Sequence, residues 1–392
     1  MRKLIPSFLS RDWAGLPIAL VIGLAGGACL HAGWQRSGYG LLGVGIVLAI
    51  GSLYHLAYMA RVRAACPPPG KLIDIGGYRL HVLAEGKATT LPTVVWMPGV
   101  HAGGLALHHL HRALREQTRS ILIDRAGTGW SDAGPFPRST AQEADEVISA
   151  LLRSGETGPY VLVGHSFGGL LVANIARRRP ELACGLVLLD ATHFDFFNYA
   201  PPQIRPTIMT TLGNLNGMLH LFGLHADAFE VLGRLKSDVR QTLDLIKRHL
   251  GEATSMGFKK IELSSRPGFS SASILSELSI EGCARAGFDA LVHDGELGAL
   301  PVFVVTPQDA SEMRPADRAA ALKLRRSTGL DEAGFERYME MVTAVRRRYL
   351  ATSSRSEHVF APAGAGHNFP YESPEFVAQV VSRMLHTAAR AS

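Results

Sequence analysis

Gly164-His165-Ser166-Phe167-Gly168, extended by Gly169, decides how this chain is read. The apolar run Tyr160 to Val163 leads straight into it, and Leu170, Leu171, Ala173, Ile175 and Ala176 follow with helical apolar character until Pro180. A strand, a tight turn and a helix are predicted. A serine that must project its hydroxyl from such a turn needs neighbours without bulk two positions to either side, and Gly164 and Gly168 meet that need. The pentapeptide arises by chance in many chains; its place between a buried strand and a helix gives it weight. The plainer alternative is a glycine-rich turn whose serine only caps the helix.

Outward from this turn, strands and helices alternate. Lys71 to Ile75 and Tyr78 to Ala84, joined through Gly76-Gly77, predict an antiparallel hairpin. Thr93 to Met97, Ser120 to Ile123, Tyr160 to Val163, Gly185 to Leu189, Val302 to Thr306 and His358 to Ala361 are short runs rich in Val, Ile and Leu, as strands buried on both faces are. Helical stretches such as Thr140 to Leu152 and Phe335 to Leu350 separate most of them. The expected class is α/β: a mostly parallel sheet of about eight strands with helices on both faces.

The first 66 residues have a different character. No Asp, Glu, Lys or Arg occurs from Trp13 to Gln35 or from Ser37 to Ala60, and each stretch reaches the roughly 20 residues that cross a bilayer. Glycine is frequent in both, which suits close helix contact in lipid, and Trp13, Trp34, Tyr39, Tyr54 and Tyr58 lie near the ends as interfacial aromatics do. A two-helix transmembrane hairpin over 1–66 is expected. A cleaved signal peptide is the competing reading, but no small-x-small site followed by polar sequence stands after the first span. Arg2, Lys3 and Arg11 before the first span and Arg61 and Arg63 after the second, against only Arg36 in the turn, place both termini in the cytoplasm. Pro67-Pro68-Pro69-Gly70 forms a short stiff linker over 67–70, and a catalytic domain follows over 71–392. So short a tether holds that domain against the bilayer, which favours a substrate that partitions into lipid.

The formal charge of +6 is carried mostly before Lys71. The remainder is nearly neutral, so the basic stripe that nucleic-acid binding needs is missing. The 4 cysteines have no paired spacing and are expected to stay reduced. His101, His108, His109 and His111 invite a metal reading, but no cysteine or carboxylate cluster completes a coordination set, and no metal is expected.

Several motifs in order resemble the α/β-hydrolase superfamily from about Lys71 to the C-terminus. Met97-Pro98-Gly99-Val100 resembles the family's oxyanion loop, with Pro-Gly where His-Gly is usual. Asp124-Arg125-Ala126-Gly127-Thr128-Gly129-Trp130-Ser131 is similar to its turn after the fourth strand, with Asp124 and Trp130 read as turn and packing residues. Gly164 to Gly169 resembles the nucleophile elbow, and Gly364-Ala365-Gly366-His367 with Pro374-Glu375-Phe376-Val377 resembles the loop that carries the base. The resemblance implies a serine esterase or lipase-like enzyme without cofactor, acting on a small or lipid-like ester. A serine at position 166 argues against dehalogenase and epoxide-hydrolase chemistry, which the resemblance associates with an aspartate there.

The chemistry assigns the roles. A serine hydroxyl needs a base within hydrogen-bond reach, and His367 is expected to supply it for Ser166. A carboxylate between the two in sequence must hold the imidazole tautomer. Asp309, just beyond the strand Val302 to Thr306, fits best; Asp190 at the end of the preceding strand is the rival, and Asp294 a third. The oxyanion would be met by the backbone N–H groups of Phe167 and Val100, or of His101 if the Pro-Gly substitution shifts the donor. The long insertion over 195–300 is expected to form a lid. Phe229, Leu232, Leu235, Val239, Leu243, Ile246 and Leu250 give it one helix with a continuous apolar face, and His193, Phe194, Phe196, Phe197 and Tyr199 stand at its start. Acyl transfer or thioester cleavage on the same triad, and a non-catalytic binding module on the same fold, remain the alternatives.

Overall fold

The computed structural model describes residues 4–193, 206–225, 247–278, 294–307, 346–362 and 365–390, with isolated positions 244, 333 and 344. Eight strands form one sheet: β1 (Lys71–Asp74), β2 (Arg79–Glu85), β3 (Thr93–Met97), β4 (Ser120–Ile123), β5 (Tyr160–His165), β6 (Ala183–Leu189), β7 (Val302–Thr306) and β8 (Ser356–Phe360). Their order is β1-β2-β4-β3-β5-β6-β7-β8. β2 runs antiparallel to both its neighbours, and every pairing from β4 to β8 is parallel. The first turn closes as its glycines predict, with both at positive φ and their N–H groups donating to Asp74 Oδ1. Where strand ends differ from the sequence expectation they do so by one or two residues; β5, for instance, continues through Gly164 to His165 because both still pair with β6.

Every residue of β5 is buried, as a central strand covered on both faces must be. On one face Leu162, Val95 and Val304 pack beneath α5 (Thr140–Ser154) and α6 (Phe167–Arg178). On the other, Trp96, Val161, Val163 and Val305 meet α4 (His108–Leu114) and α12 (Pro374–Ala389). α5 starts at Ser139, whose side chain accepts the Gln142 N–H, and ends at Gly155 in the left-handed region.

The insertion between β6 and β7 contributes α7 (Pro206–Leu221), α8 (Gly251–Ser255), α9 (Phe258–Ile261) and α10 (Arg266–Glu277). Of the apolar positions expected to build its long helix, Leu250 is buried, and the six from Phe229 to Ile246 lie outside the described residues. α11 (Phe369–Glu372) precedes the C-terminal α12.

Before the sheet come α1 (Leu4–Leu9), α2 (Gly15–His31) and α3 (Gln35–Ala65). α2 and α3 are antiparallel and very close: a Cβ on Gly26 would stand 2.7 Å from Leu42 N, and one on Gly45 2.9 Å from Gly23 N. Small residues are what permit that approach. Only α3, among the described helices, is long and apolar enough to cross a membrane; α2, with 17 residues, sits at the lower edge of that length. Along α3 the buried positions Ser52, His55, Met59 and Val62 recur at three- and four-residue steps, so its C-terminal part lies on the rest of the protein. Trp130 extends the join: its indole N–H donates to the Cys66 carbonyl at 2.9 Å.

Candidate active site

Ser166 stands between the end of β5 and the first residue of α6, at φ 56 and ψ −124. Among the described non-glycine residues only Ser166 and Asp190, at φ 42, have positive φ. Such backbone is costly for an L-residue and is kept where surrounding structure enforces it. Here the enforcement is visible. Ser166 N–H donates to the Leu189 carbonyl at 3.0 Å, while its own carbonyl accepts from Gly169 and Thr192. A Cβ on Gly164 would overlap the Gly168 carbonyl, and one on Gly168 would overlap that of Met97. The glycines are thus required by two close backbone approaches.

Asp190 follows β6, the strand beside β5, and its N–H donates to the Val305 carbonyl at 2.8 Å. Its Oδ2 lies 2.6 Å from His367 Nδ1, on the loop after β8. The residues at 166, 190 and 367 thus follow β5, β6 and β8 at the carboxyl-end edge of the sheet, where open α/β sheets place ligands. Asp309 lies outside the described residues. Asp294 is in a turn before β7.

Desolvation by the surrounding protein works against a charge on His367; the hydrogen bond to Asp190 and its negative charge, with Glu372 beyond, outweigh that and hold the imidazole above its ordinary value. One side of His367 remains open to solvent, with 46% of the side chain exposed. His165, by contrast, is buried and has its pKa pushed down to about 3, by desolvation first and by the neighbouring His367 second. A neutral His165 can donate from Nε2 to the His367 carbonyl at 2.9 Å, with the ring centroids 4.9 Å apart. The sequence pattern assigns position 165 no role, yet His165 holds the histidine loop.

The loop after β3 passes over the serine: a Cβ on Gly99 would lie 3.6 Å from Ser166 Cβ. The Val100 and Phe167 N–H groups have no acceptor among the described residues. Phe167 opens α6, where amide groups already point outward. Buried Arg125 donates to the carbonyls of Gly99 at 2.9 Å and Val100 at 2.8 Å, and is itself paired with Glu143 at 2.9 Å. Because a trans peptide points C=O and N–H in opposite directions, holding those carbonyls sets the direction of the Val100 and His101 N–H groups. Arg125 had no signal in sequence beyond its place in the Asp124–Ser131 turn. Asp124 itself accepts from Gly104 N, Trp130 N and His81, which accounts for it as a turn residue. Likewise His111 is held by Glu85 and Ser120, and His109 meets the Pro370 carbonyl.

A cavity of about 650 Å³ lies next to the loop after β3, lined by His101 and Ala102 of that loop but by none of Ser166, Asp190 or His367. It begins at His101 and Tyr371, has Leu212, Leu250 and Phe258 among its walls, and reaches His225. The His225 ring lies 4.3 Å from that of Tyr58 on α3.

The pattern of the alpha/beta hydrolase family matches residues 94–380. The chain belongs to the alpha/beta hydrolase family. A thermophilic esterase from Thermogutta terrifontis superposes with a TM-score of 0.53 at 20% identity, covering 81% of this chain and 98% of the esterase. The enol-lactonase from Burkholderia xenovorans LB400 gives 0.53 at 15% identity, over 81% and 100%. In sequence, the 2-(acetamidomethylene)succinate hydrolase of Mesorhizobium japonicum is 28% identical over 122 residues, 31% of this chain and 42% of that enzyme. The chain spans about two fifths of the length of some of the curated relatives it matches and far less of others.

Proposed function

We propose that the chain is a membrane-anchored serine hydrolase that cleaves carboxylic esters through an acyl-enzyme. The contact of Asp190 with His367, beside a serine held at positive φ, carries this reading. Ser166 attacks the ester carbonyl as His367 takes its proton; Asp190 keeps the imidazole in the tautomer with Nε2 free to accept. The Val100 and Phe167 N–H groups receive the negative charge that develops on the carbonyl oxygen. His367 then protonates the departing alcohol and, in the second half, draws a proton from the water that releases the acyl group. The names of the esterase and hydrolase relatives favour the same chemistry.

A substrate of lipid character is favoured by the cavity, whose volume lies in the range of small-molecule sites and whose far end meets α3. A fluorophosphonate probe is expected to label the protein at Ser166, and p-nitrophenyl esters to be turned over faster as the acyl chain lengthens from acetate. Folded protein that takes no label would favour a binding module on this fold, and equal rates for acetate and long chains would remove the lipid preference.

The N-terminal hairpin is proposed as the anchor. α3 has 31 residues, about 46 Å at 1.5 Å per residue, against about 30 Å of hydrocarbon. Its excess length matches the C-terminal part that lies on the catalytic domain. Arg11, Arg61 and Arg63 at the open end of the hairpin put that domain in the cytoplasm. The protein is expected to stay with membranes through carbonate extraction and to be shielded from protease outside sealed cells. Release by carbonate would refute the anchor; digestion from outside would reverse its orientation.

A further inference from the structure

The hairpin makes a second kind of contact, with the start of α10, the helix that reaches the loop beside Ser166. Asp12, between α1 and α2, is 9% exposed. Its Oδ1 accepts from the backbone N–H and the hydroxyl of Ser265, both at 3.2 Å, and faces His55 Nε2 of α3 at 3.1 Å; its Oδ2 is paired with Arg63. Ser265 is the residue that opens α10. One turn and a half further along that helix, buried Ser271 donates its hydroxyl to the Val100 carbonyl at 3.0 Å. The same carbonyl accepts from Arg125. α10 is fastened along its length: Arg266 donates to the Ser131 carbonyl at 2.6 Å, Ser273 Oγ accepts the Arg138 N–H at 2.7 Å, and Glu277 accepts the Thr140 N–H at 2.7 Å. A helix so held transmits a shift at one end to the other, because its own hydrogen-bond ladder resists bending.

We infer that the hairpin is part of the active-site framework: Asp12 sets the start of α10, and α10, through Ser271, fixes the Val100–His101 peptide, which directs the His101 N–H and steadies the residue whose own N–H faces the oxyanion. Asp12 and Ser271 are positioning residues, acting through the Val100 carbonyl. The inference rests on the proposed serine chemistry for its kinetic readout, and on amide exchange for one independent of it.

In full-length protein held in detergent micelles, Ser271→Ala is expected to lower kcat on p-nitrophenyl butyrate about 5- to 10-fold, the scale of one hydrogen bond, with KM changed less than about twofold. Ser271→Thr, which keeps the hydroxyl, restores kcat. Asp12→Ala is expected to lower kcat about 5-fold, and the double variant to fall no further than Ser271→Ala, since both act through one carbonyl. Amide exchange over 99–102 should quicken in both single variants, whether or not ester is turned over. Additive losses would show that Asp12 acts by a route other than the Val100 carbonyl, and Asp12→Ala with unchanged kcat and unchanged exchange over 99–102 would show the hairpin to be a tether alone; either result overturns the inference. Fluorophosphonate labelling of the unmutated protein at Ser166 judges the serine chemistry separately. Without that label the exchange result still decides the structural link.

Discussion

Ser166→Ala is expected to lower kcat by about 10⁶-fold and to leave the fold intact. The size follows from what the hydroxyl does in the proposed reaction: without it no acyl-enzyme forms, and only binding and the oxyanion N–H groups remain, which are worth about 10³-fold over water. The intact fold follows from the site. The Ser166 side chain makes no capping bond to α6, and its nearest described hydroxyl, that of Thr192, is 3.5 Å away, longer than a formed O–H···O bond. Alanine at φ 56 meets the same backbone strain as serine, so stability should shift by less than about 0.5 kcal/mol. His367→Ala is expected to cost about as much as Ser166→Ala, and the double variant no more than either, because nucleophile and base act as one unit. Esterase assays on the three purified variants, with circular dichroism melts beside them, test this; a Ser166→Ala protein that keeps a tenth of its activity would rule out the acyl-enzyme.

Much of this site is legible in sequence for a local reason. Gly164 and Gly168 mark the elbow because the close approaches there exclude any Cβ, and β3, β5 and β7 can be read because strands covered on both faces are apolar throughout. Chain order then brings His367 into question without any structure. What depends on tertiary placement is less readable. Asp190 and Asp309 both follow a strand and both lie between serine and base, so spacing alone does not separate them, and the positive φ of Asp190 leaves no trace in residue type. The contacts of His165 with the His367 loop, of Arg125 with two carbonyls, and of Ser271 with one of the same pair join residues remote in sequence. A buried arginine in particular looks like surface until its partners are found. Glu143 and Glu146 share Arg125 and Arg138 in a buried network, whose charges are tolerable only because each is paired.

The acid therefore decides the second large effect. Asp190→Asn is expected to lower kcat about 10⁴-fold while Asp309→Asn stays within about twofold of the unmutated protein. Asparagine suits the test because it tolerates positive φ nearly as well as aspartate, so the backbone at φ 42 is not newly strained. It fails chemically: an amide N–H facing His367 Nδ1 favours the tautomer whose proton sits on Nε2, and that nitrogen can no longer accept from Ser166. The pH dependence follows in sign. His367 must be neutral to act as base, and Asp190 holds its pKa above the ordinary value, so kcat/KM of the unmutated protein should rise as pH passes upward through a midpoint above about 6.5. In Asp190→Asn the charge and hydrogen bond that raise it are gone while burial, which lowers it, remains, so the residual activity should have its midpoint at lower pH. Profiles of kcat/KM against pH for the three proteins distinguish the two carboxylates. Should Asp309→Asn instead cost about 10⁴-fold and Asp190→Asn keep both rate and midpoint, the acid would be Asp309, and the 2.6 Å contact at His367 would be a resting-state pairing only.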